Sequence, residues 1–519
     1  MDNPPTNRPG RSRFVPNTFA LVLQTVVATL ITLAQVKILS NYLQQETFGL
    51  FASLRGFSLL LTIIAANGLP QLLVRYLPEH ESKGEREYAL RLSAACVAVS
   101  FGLLVVLAAA VQLLRPWLLA FTEPALLGRG MLLWFYAMTL GIMLKTVVYG
   151  GLNGLRRLGT QMVLETASLL AILLWIVVER EHLSLLLLFK IFGTVHLAAL
   201  GLAVPLFFLS LMRLPRPHPA DTSGTGKEAV RYRYRPYLVW AIGLGFVAVA
   251  FSDVDRYLLA QLLTLEVLAV FHIGARLGRL ANRLLGAAHL AFQPEITRLK
   301  AEGRTSGIQP ATRIFIKFNS AVAVLIMCVI VLFAQEIIVV VASRDYLAAT
   351  PLLIILALCL PLNTVTAPLT TVMKAMDQIR SALMTDIAWA STYLTLMVVL
   401  APRFGLVGVG LAQLCACVLQ LLVTLRLSPL AIDLGFTAGL VFRLGTAGAA
   451  AFLPVLLATT LAREALGGLI VPAKIVLFVG GMVVFRGLIR RMNVFTREER
   501  ETLYSIFESR GIRFVRGVL

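Results

Sequence analysis

Apolar runs of about twenty residues recur along the whole chain, and they restrict its fold more than any other feature of the sequence. A helix of this length spans the hydrocarbon core of a bilayer, where every backbone polar group must be hydrogen-bonded within the protein. Only 14% of the 519 residues are charged, compared with about a quarter in soluble domains. The sequence lacks the alternating pattern of membrane β-barrels. It therefore predicts an all-α polytopic membrane protein.

The apolar runs divide the chain into fourteen candidate spans with short polar connections. The spans are expected near residues 17–43, 49–75, 90–115, 128–151, 159–179, 184–212, 237–263, 267–292, 313–341, 347–373, 381–402, 405–430, 438–463 and 470–489. The predicted organisation is a tail (1–16), an N-lobe of six spans (17–212), a linker (213–236), a C-lobe of six spans (237–430), two further spans (431–490) and a basic tail (491–519).

The net charge is +20, from 47 lysines and arginines against 27 acidic residues. In a soluble protein this excess would indicate a nucleic-acid partner. Here, a cytoplasmic N-terminus places most of the basic connecting residues in the cytoplasm, so the positive-inside rule accounts for the excess. We therefore expect both termini and the 213–236 linker in the cytoplasm, and no nucleic-acid partner.

The two halves resemble each other at a nearly constant offset, which predicts an internal duplication. Glu46 and Arg55 in the first half correspond to Glu266 and Arg276 in the second half. The segment GLNGLRRLGTQMVLE (151–165) corresponds to VMKAMDQIRSALMTD (372–386). Because an even number of spans separates equivalent points, the repeats are expected to be parallel, with a site enclosed between them.

Three arginines lie within the predicted eighth span, at Arg276, Arg279 and Arg283, and His272 continues their spacing. At about 100° per residue these side chains fall within an arc of roughly 60° on one helix face. An amphipathic surface helix or snorkelling to an interface would also explain one end of such a stripe. Its length favours a face that lines a water-filled cavity.

Further cations lie within other spans, namely Lys37, Arg55 and Lys145. Guanidinium groups form bidentate contacts with phosphate and carboxylate groups. The sequence therefore predicts a substrate-binding cavity for an anionic ligand, lined by these three cations and by the three arginines of the eighth span.

Acidic residues are fewer at membrane depth, and we expect them to form charge pairs or a coupling site. Asp255 is expected to neutralise Arg256 or Arg276, and Asp253 and Asp255 are candidates for a proton or sodium site. Glu165 and Asp386 are equivalent in the repeat, and each is expected to pair with Arg156, Arg157 or Arg380.

The sequence gives no support to a cofactor, to a metal or to ATP-driven transport. The GTGK at 224–227 lacks the spacing of a phosphate-binding loop, and the five cysteines and six histidines show no ligand spacing. We expect no cofactor apart from a coupling proton or sodium ion.

Three segments resemble the bacterial polysaccharide flippases, which belong to the multidrug/oligosaccharidyl-lipid/polysaccharide exporter superfamily. They are LSNYLQQETFGLFASLRGFSLLLTIIAANGLPQLLVRYLP (39–78), SDVDRYLLAQLLTLEVLAVFHIGARL (252–277) and FGLVGVGLAQLCACVLQLLV (404–423). The sequence departs from the family at Phe271-His272, where a Gly-Tyr pair is common.

This resemblance implies two six-helix lobes around a cleft, with spans thirteen and fourteen as additions. It also implies a monomeric transporter of the bacterial inner membrane that works by alternating access. Its substrate would be a polyprenyl-(pyro)phosphate-linked oligosaccharide moved to the periplasmic leaflet, and its partners would be glycosyltransferases and a polysaccharide polymerase.

Three other functions are open from the sequence. A drug or cation antiporter of the same superfamily would favour an acidic interior, whereas this interior carries more Arg and Lys than Asp and Glu. A membrane enzyme acting on lipid-linked glycans would need a long periplasmic loop, and none is predicted. A passive scramblase or scaffold would also be helical and repeated.

Overall fold

The computed structural model describes most of the chain, and the statements below refer to that part. The described residues are 14–66, 68–82, 85–113, 129–155, 157–214, 243, 254–301, 305–376, 378–430, 432, 434–462 and 469–501. All regular structure among them is helical, as the sequence predicts. The tail at 1–13 and nearly all of the 213–236 linker lie outside the described residues.

Fourteen α-helices form the described structure. In chain order they are α1 (Phe14–Tyr42), α2 (Gln45–Ala66), α3 (Leu69–Ser82), α4 (Arg86–Leu113), α5 (Arg129–Gly154), α6 (Leu158–Val178), α7 (Leu185–Met212), α8 (Val254–Leu262), α9 (Leu265–Ala301), α10 (Ile308–Val341), α11 (Thr350–Ala375), α12 (Ile379–Leu427), α13 (Leu434–Leu461) and α14 (Ile470–Arg491). Short 3-10 helices occupy Arg180–His182, Thr305–Gly307 and Arg344–Ala349.

Ten of the described helices are long and apolar enough to cross a membrane, which confirms a polytopic membrane protein. The count differs from the fourteen predicted spans at four places. In α1 the side chains are described continuously only over Val26–Tyr42, which is shorter than a full span, and only the end of the seventh predicted span is described, as α8. Helix α9 is too basic to be counted, and α12 contains two predicted spans.

Helix α12 is a helical hairpin whose bend is at Gly405. This residue has φ +55° and ψ −135°, a conformation that L-residues with a side chain rarely adopt. The residue therefore divides α12 into a first arm that ends before it and a second arm that follows it. The bend coincides with the predicted boundary between the eleventh and twelfth spans.

The helix boundaries repeat along the chain, as expected from an internal duplication. Each of the helices α2, α4, α5 and α6 begins 220–222 residues before its counterpart: Gln45 and Leu265, Arg86 and Ile308, Arg129 and Thr350, Leu158 and Ile379. Helix α7 corresponds in the same way to the second arm of α12. The sequence repeat is therefore a repeat of helices.

The chain forms two compact units. The N-terminal unit comprises Met1–Gln35 and Ile64–Ala241, and the C-terminal unit comprises Val36–Ile63 and Ile242–Leu519. The division places the end of α1 and most of α2 with the second half of the chain, which the predicted lobe boundaries did not anticipate. The lobes at 17–212 and 237–430 stay a prediction.

Each unit has its own apolar core. In the N-terminal unit, Leu73 of α3, Met143 of α5 and Phe207 of α7 are fully buried in one cluster. In the C-terminal unit, α13 and α14 pack against α10 through a cluster that includes Phe452 and Phe485. The last two spans are thus integral to the packing of the C-terminal unit.

Candidate functional site

A cavity of about 370 Å³ with several polar side chains in its lining lies inside the C-terminal unit, among α8, α9, α11 and α12. Its volume falls within the range of small-molecule sites, roughly 300–1,000 Å³. Most of its polar groups come from these helices: Asp255, Arg279, Asn282, Asn363, Thr366, Thr370, Asp386, Tyr393, Gln413 and Gln420. Carboxylates, amides and a guanidinium at this depth make the cavity suitable for a polar ligand or an ion.

Asp255 is the buried carboxylate at the α8 side of the cavity. Only 5% of the residue is exposed, and one of its oxygens lies 3.9 Å from Nη1 of Arg279. The Tyr393 hydroxyl donates a hydrogen bond to the same oxygen at 3.3 Å. The sequence predicted an arginine partner for Asp255, but expected Arg256 or Arg276. In the structure Arg279 is in ion-pair contact, because the helical repeat of α9 turns this residue towards α8.

Asp386 is the second carboxylate, on the first arm of α12. It accepts a hydrogen bond at 3.2 Å from Nε2 of Gln420 on the second arm. Within the described part of the chain, no lysine or arginine nitrogen lies within 4.0 Å of it. Arg156 lies outside the described residues, so the predicted pairing with Arg156, Arg157 or Arg380 stays a prediction. The bend at Gly405 brings the two arms side by side and supplies an amide partner in place of a cation.

The arginine stripe lies along one continuous helix, α9. Arg276 is half-buried, with Nη1 3.4 Å from Nε2 of the buried His272. Arg279 lines the cavity, and Arg283 is exposed. Asn282, on the same stretch, accepts a hydrogen bond at 3.0 Å from the amide of Asn363 on α11. The stripe therefore runs from a buried histidine, past the cavity, to an exposed end.

Lys37 has a role that its sequence position did not indicate. Its ammonium group donates to the carbonyl oxygens of Val339, at 2.8 Å, and of Ala342, at the carboxyl end of α10. A cation at this end of a helix satisfies free carbonyls and opposes the helix dipole. Arg55 is half-buried on α2. A substrate-binding role for Lys37 and Arg55 stays a prediction.

Two of the predicted site residues cannot be located. Asp253 lies outside the described residues, and Arg256 belongs to α8 but its side chain is not described. Their predicted charge-pair roles are untested.

A second group of charged side chains lies inside the N-terminal unit. The ammonium group of Lys145 on α5 lies 2.9 Å from a carboxylate oxygen of Glu165 on α6 and 3.3 Å from Nδ1 of His196 on α7. The same ammonium group is 5.4 Å from the centre of the Tyr149 ring. Lys145 is 5% exposed. Glu165 thus has a lysine partner where the sequence suggested an arginine, because the long side chain of Lys145 crosses from the adjacent helix to reach it.

The two polar groups occupy equivalent positions in the duplication. An offset of 221 residues relates the N-terminal members to the C-terminal ones: Lys145 to Thr366, Tyr149 to Thr370, Glu165 to Asp386, Ser168 to Trp389 and His196 to Cys417. The first four C-terminal members line the cavity. Extending the repeat alignment through α5 and α6 would have found this correspondence from sequence.

Within the described ranges, no group of three or more His, Cys, Asp or Glu side chains has an arrangement that could hold a metal ion. The charged groups above are instead pairs of opposite sign or carboxylates with amide partners.

Comparisons with known proteins give a consistent result. A model of the family "Polysaccharide biosynthesis protein" matches residues 14–298. No curated protein matches the chain by sequence. The solved structure of the lipid II flippase MurJ, in an inward closed conformation, superposes with a TM-score of 0.67 at 13% identity and covers 92% of this chain and 100% of its own.

Two multidrug transporter structures have the same fold. The MATE multidrug transporter DinF-BH gives a TM-score of 0.56 at 15% identity and covers 82% of this chain and 98% of its own. An inward-facing MATE family transporter of the MOP superfamily gives 0.54 at 17% identity, with 77% and 94% covered. The three structures are titled as a flippase and as transporters. The chain belongs to the polysaccharide biosynthesis protein family.

Proposed function

We propose that the protein is a flippase. It moves a polyprenyl-(pyro)phosphate-linked oligosaccharide from the cytoplasmic to the periplasmic leaflet of the bacterial inner membrane, by alternating access, for surface polysaccharide assembly. The observation that carries the proposal is the arginine stripe of α9, in which Arg279 lines the cavity, in a member of a polysaccharide biosynthesis family.

The charge of the stripe fits the headgroup of such a lipid. Burying a guanidinium group in a bilayer costs several kcal/mol, so arginines at this depth indicate a hydrated or ligand-binding surface. The Arg279 side chain is 31% exposed although it lines the cavity, and Arg283 is exposed. A diphosphate offers the oxygen pairs that a guanidinium fork binds in bidentate fashion. Arg276, Arg279 and Arg283 are therefore assigned to the headgroup.

The uncharged polar groups fit the glycan. Asn282 and Asn363 present amides next to the arginines, and each amide has both donor and acceptor capacity for sugar hydroxyls.

Asp255 supplies a link between headgroup binding and a coupling ion. Its oxygen is within ion-pair distance of Arg279 and hydrogen-bonded to Tyr393. A proton or sodium ion arriving at Asp255 would compete with Arg279 for this carboxylate and release the guanidinium to the substrate. Asp386, in the same cavity and hydrogen-bonded to the amide of Gln420, is the second candidate ligand for the ion.

A drug or cation antiporter is the alternative, since two matched structures are titled multidrug transporters. The two carboxylates of the cavity favour it, whereas the arginines of α9 oppose the binding of a cationic drug.

For the flippase, we propose that both termini lie in the cytoplasm, that the protein is a monomer and that its partners are a polymerase and glycosyltransferases.

The test is export of surface glycan in a strain that lacks the native gene and carries Arg276→Ala with Arg279→Ala. We expect export to fall below about a tenth of the wild-type level while the amount of inserted protein is unchanged. The matched control is Arg403→Ala, which removes an exposed arginine from α12 and should leave export normal. Normal export in the double variant would exclude the assigned role, and drug hypersensitivity without a glycan defect would favour the antiporter.

A further inference from the structure

Equivalent positions of the two repeats carry different side chains next to a carboxylate. In the N-terminal unit, Lys145 reaches from α5 to Glu165 on α6, and His196 of α7 completes the contact. In the C-terminal unit, the residue equivalent to Lys145 is Thr366, and a cavity of about 370 Å³ is present beside Asp386. Both repeats therefore carry a carboxylate at this position, but only the N-terminal one carries a lysine.

The two carboxylates differ in how closely a cation approaches them: Lys145 contacts Glu165, whereas Lys374 interacts with Asp386 only over a longer distance. Glu165 and Lys145 neutralise each other, since their charged atoms are 2.9 Å apart. Asp386 has the amide of Gln420 as its hydrogen-bond donor, and among the described residues no cation lies within 4.0 Å of it. A carboxylate at membrane depth is costly unless a cation, a proton or hydrogen bonds offset its charge.

The contacts of Lys145 within the N-terminal unit stabilise its positive charge. Nδ1 of His196 accepts from the ammonium group, which requires a neutral histidine with its proton on Nε2. The Tyr149 ring lies at a cation–π distance from the same ammonium group. Carboxylate, imidazole and ring all converge on one nitrogen, as ligands converge on a bound ion.

We propose that Lys145 is a fixed counter-cation. Its ammonium group permanently occupies, in the N-terminal unit, the place of an exchangeable small cation (sodium ion or proton). The N-terminal unit therefore takes up no ion during transport, and ion exchange is confined to the C-terminal cavity. The confinement to the C-terminal cavity rests on the ion coupling in the proposed function, whereas the role of Lys145 does not.

The experiment replaces Lys145 by threonine, the residue at the equivalent position of the C-terminal unit. The purified full-length protein is unfolded by heat in sodium chloride and in choline chloride of equal ionic strength, each at about pH 5.5 and about pH 8, on either side of neutrality. We expect the midpoint of the variant to fall by about 5 °C or more in choline at the higher pH. At least half of this loss should be recovered by sodium or by the lower pH, because either ion would neutralise Glu165.

Three further variants separate this effect from a purely structural one. The double variant Lys145→Thr with Glu165→Gln should melt close to the wild type and show no added ion response, since both charges are gone. Glu165→Gln alone leaves an excess cation, so it should be destabilised without recovery by sodium. Lys190→Thr, at an exposed lysine of α7, is the matched control and should change nothing.

The comparison is made against the ion response of the wild type, whatever its size. An added response in Lys145→Thr therefore supports the fixed counter-cation even if the wild type proves to be insensitive to ions, which would remove the coupling proposal alone. Equal destabilisation of Lys145→Thr in all four solutions would overturn the inference. So would failure of this variant to accumulate in high sodium while the double variant accumulates normally.

Discussion

The N-terminal group at Lys145 and the C-terminal cavity at Asp386 occupy equivalent positions in the two repeats. They differ in the partner of the carboxylate, which is a lysine in the first and an amide in the second. One buried lysine completes the first group from within the chain, whereas the second keeps a carboxylate with an amide partner beside space for a ligand. Under the proposal made above, the two copies have different roles: the N-terminal one is a neutral frame, and the C-terminal one keeps a site whose charge changes during transport.

The most severe test of this comparison is to give Asp386 a contacting lysine, as Glu165 has in the N-terminal unit. Thr366→Lys should place an ammonium group in the cavity next to Asp386, where it forms the equivalent ion pair. We expect transport to fall by about a hundredfold or more and any ion response to vanish, while the protein folds normally. Surface glycan export and thermal unfolding with and without sodium provide the measurements.

Thr366→Met is the control for filled volume, because it occupies similar space without charge. It should lower transport less and keep the ion response. Normal transport by Thr366→Lys would mean that the open charge of the C-terminal cavity is unrelated to transport.

The second prediction removes the carboxylate that pairs with Lys145 in the N-terminal unit. Glu165→Ala leaves the ammonium group of Lys145 buried without its carboxylate, and breaking a buried ion pair in this way costs about 3 kcal/mol. Thermal or denaturant unfolding in detergent should report the loss. The comparison variant is Glu181→Ala, at an exposed glutamate in the 3-10 helix, for which we expect no measurable change. Equal stability of the two variants would show that the pair contributes little to the N-terminal frame.

The sequence predicted the helices and the duplication well, because hydropathy and repeat offsets depend only on local composition and order. It identified Lys145 and Glu165 as charges at depth, yet it assigned them separate roles. A contact between residues twenty positions apart on different helices can be predicted only when the packing of those helices is known. Lys37 shows the same limit, since its partners at Val339 and Ala342 lie some three hundred residues away.

The third prediction concerns the connection that shapes the C-terminal group. Gly405→Ala adds a methyl group that meets no other atom within 4 Å, so its effect is confined to the backbone. At φ +55° the strain should cost about 2 kcal/mol and loosen the pairing of Asp386 with Gln420. The free energy of unfolding provides the measurement. Gly439→Ala, at a helical glycine with similar open space, should cause no loss, and an equal loss in both variants would contradict the backbone explanation.

The smallest expected effect is at the corresponding connection of the N-terminal unit, where a serine cap rather than a glycine bend starts the next helix. Ser184 precedes α7, and its hydroxyl oxygen accepts a hydrogen bond at 3.3 Å from the backbone nitrogen of Leu187. Ser184→Ala removes this cap and should lower the free energy of unfolding by about 1 kcal/mol. Ser210→Ala, within the same helix, should be neutral or slightly stabilising because alanine favours helix. A loss at Ser184 as large as that at Gly405 would mean that both connections constrain their helices equally. The division into a rigid copy and an open copy would then depend on Lys145 alone, and the shape of the hairpin would contribute nothing to it.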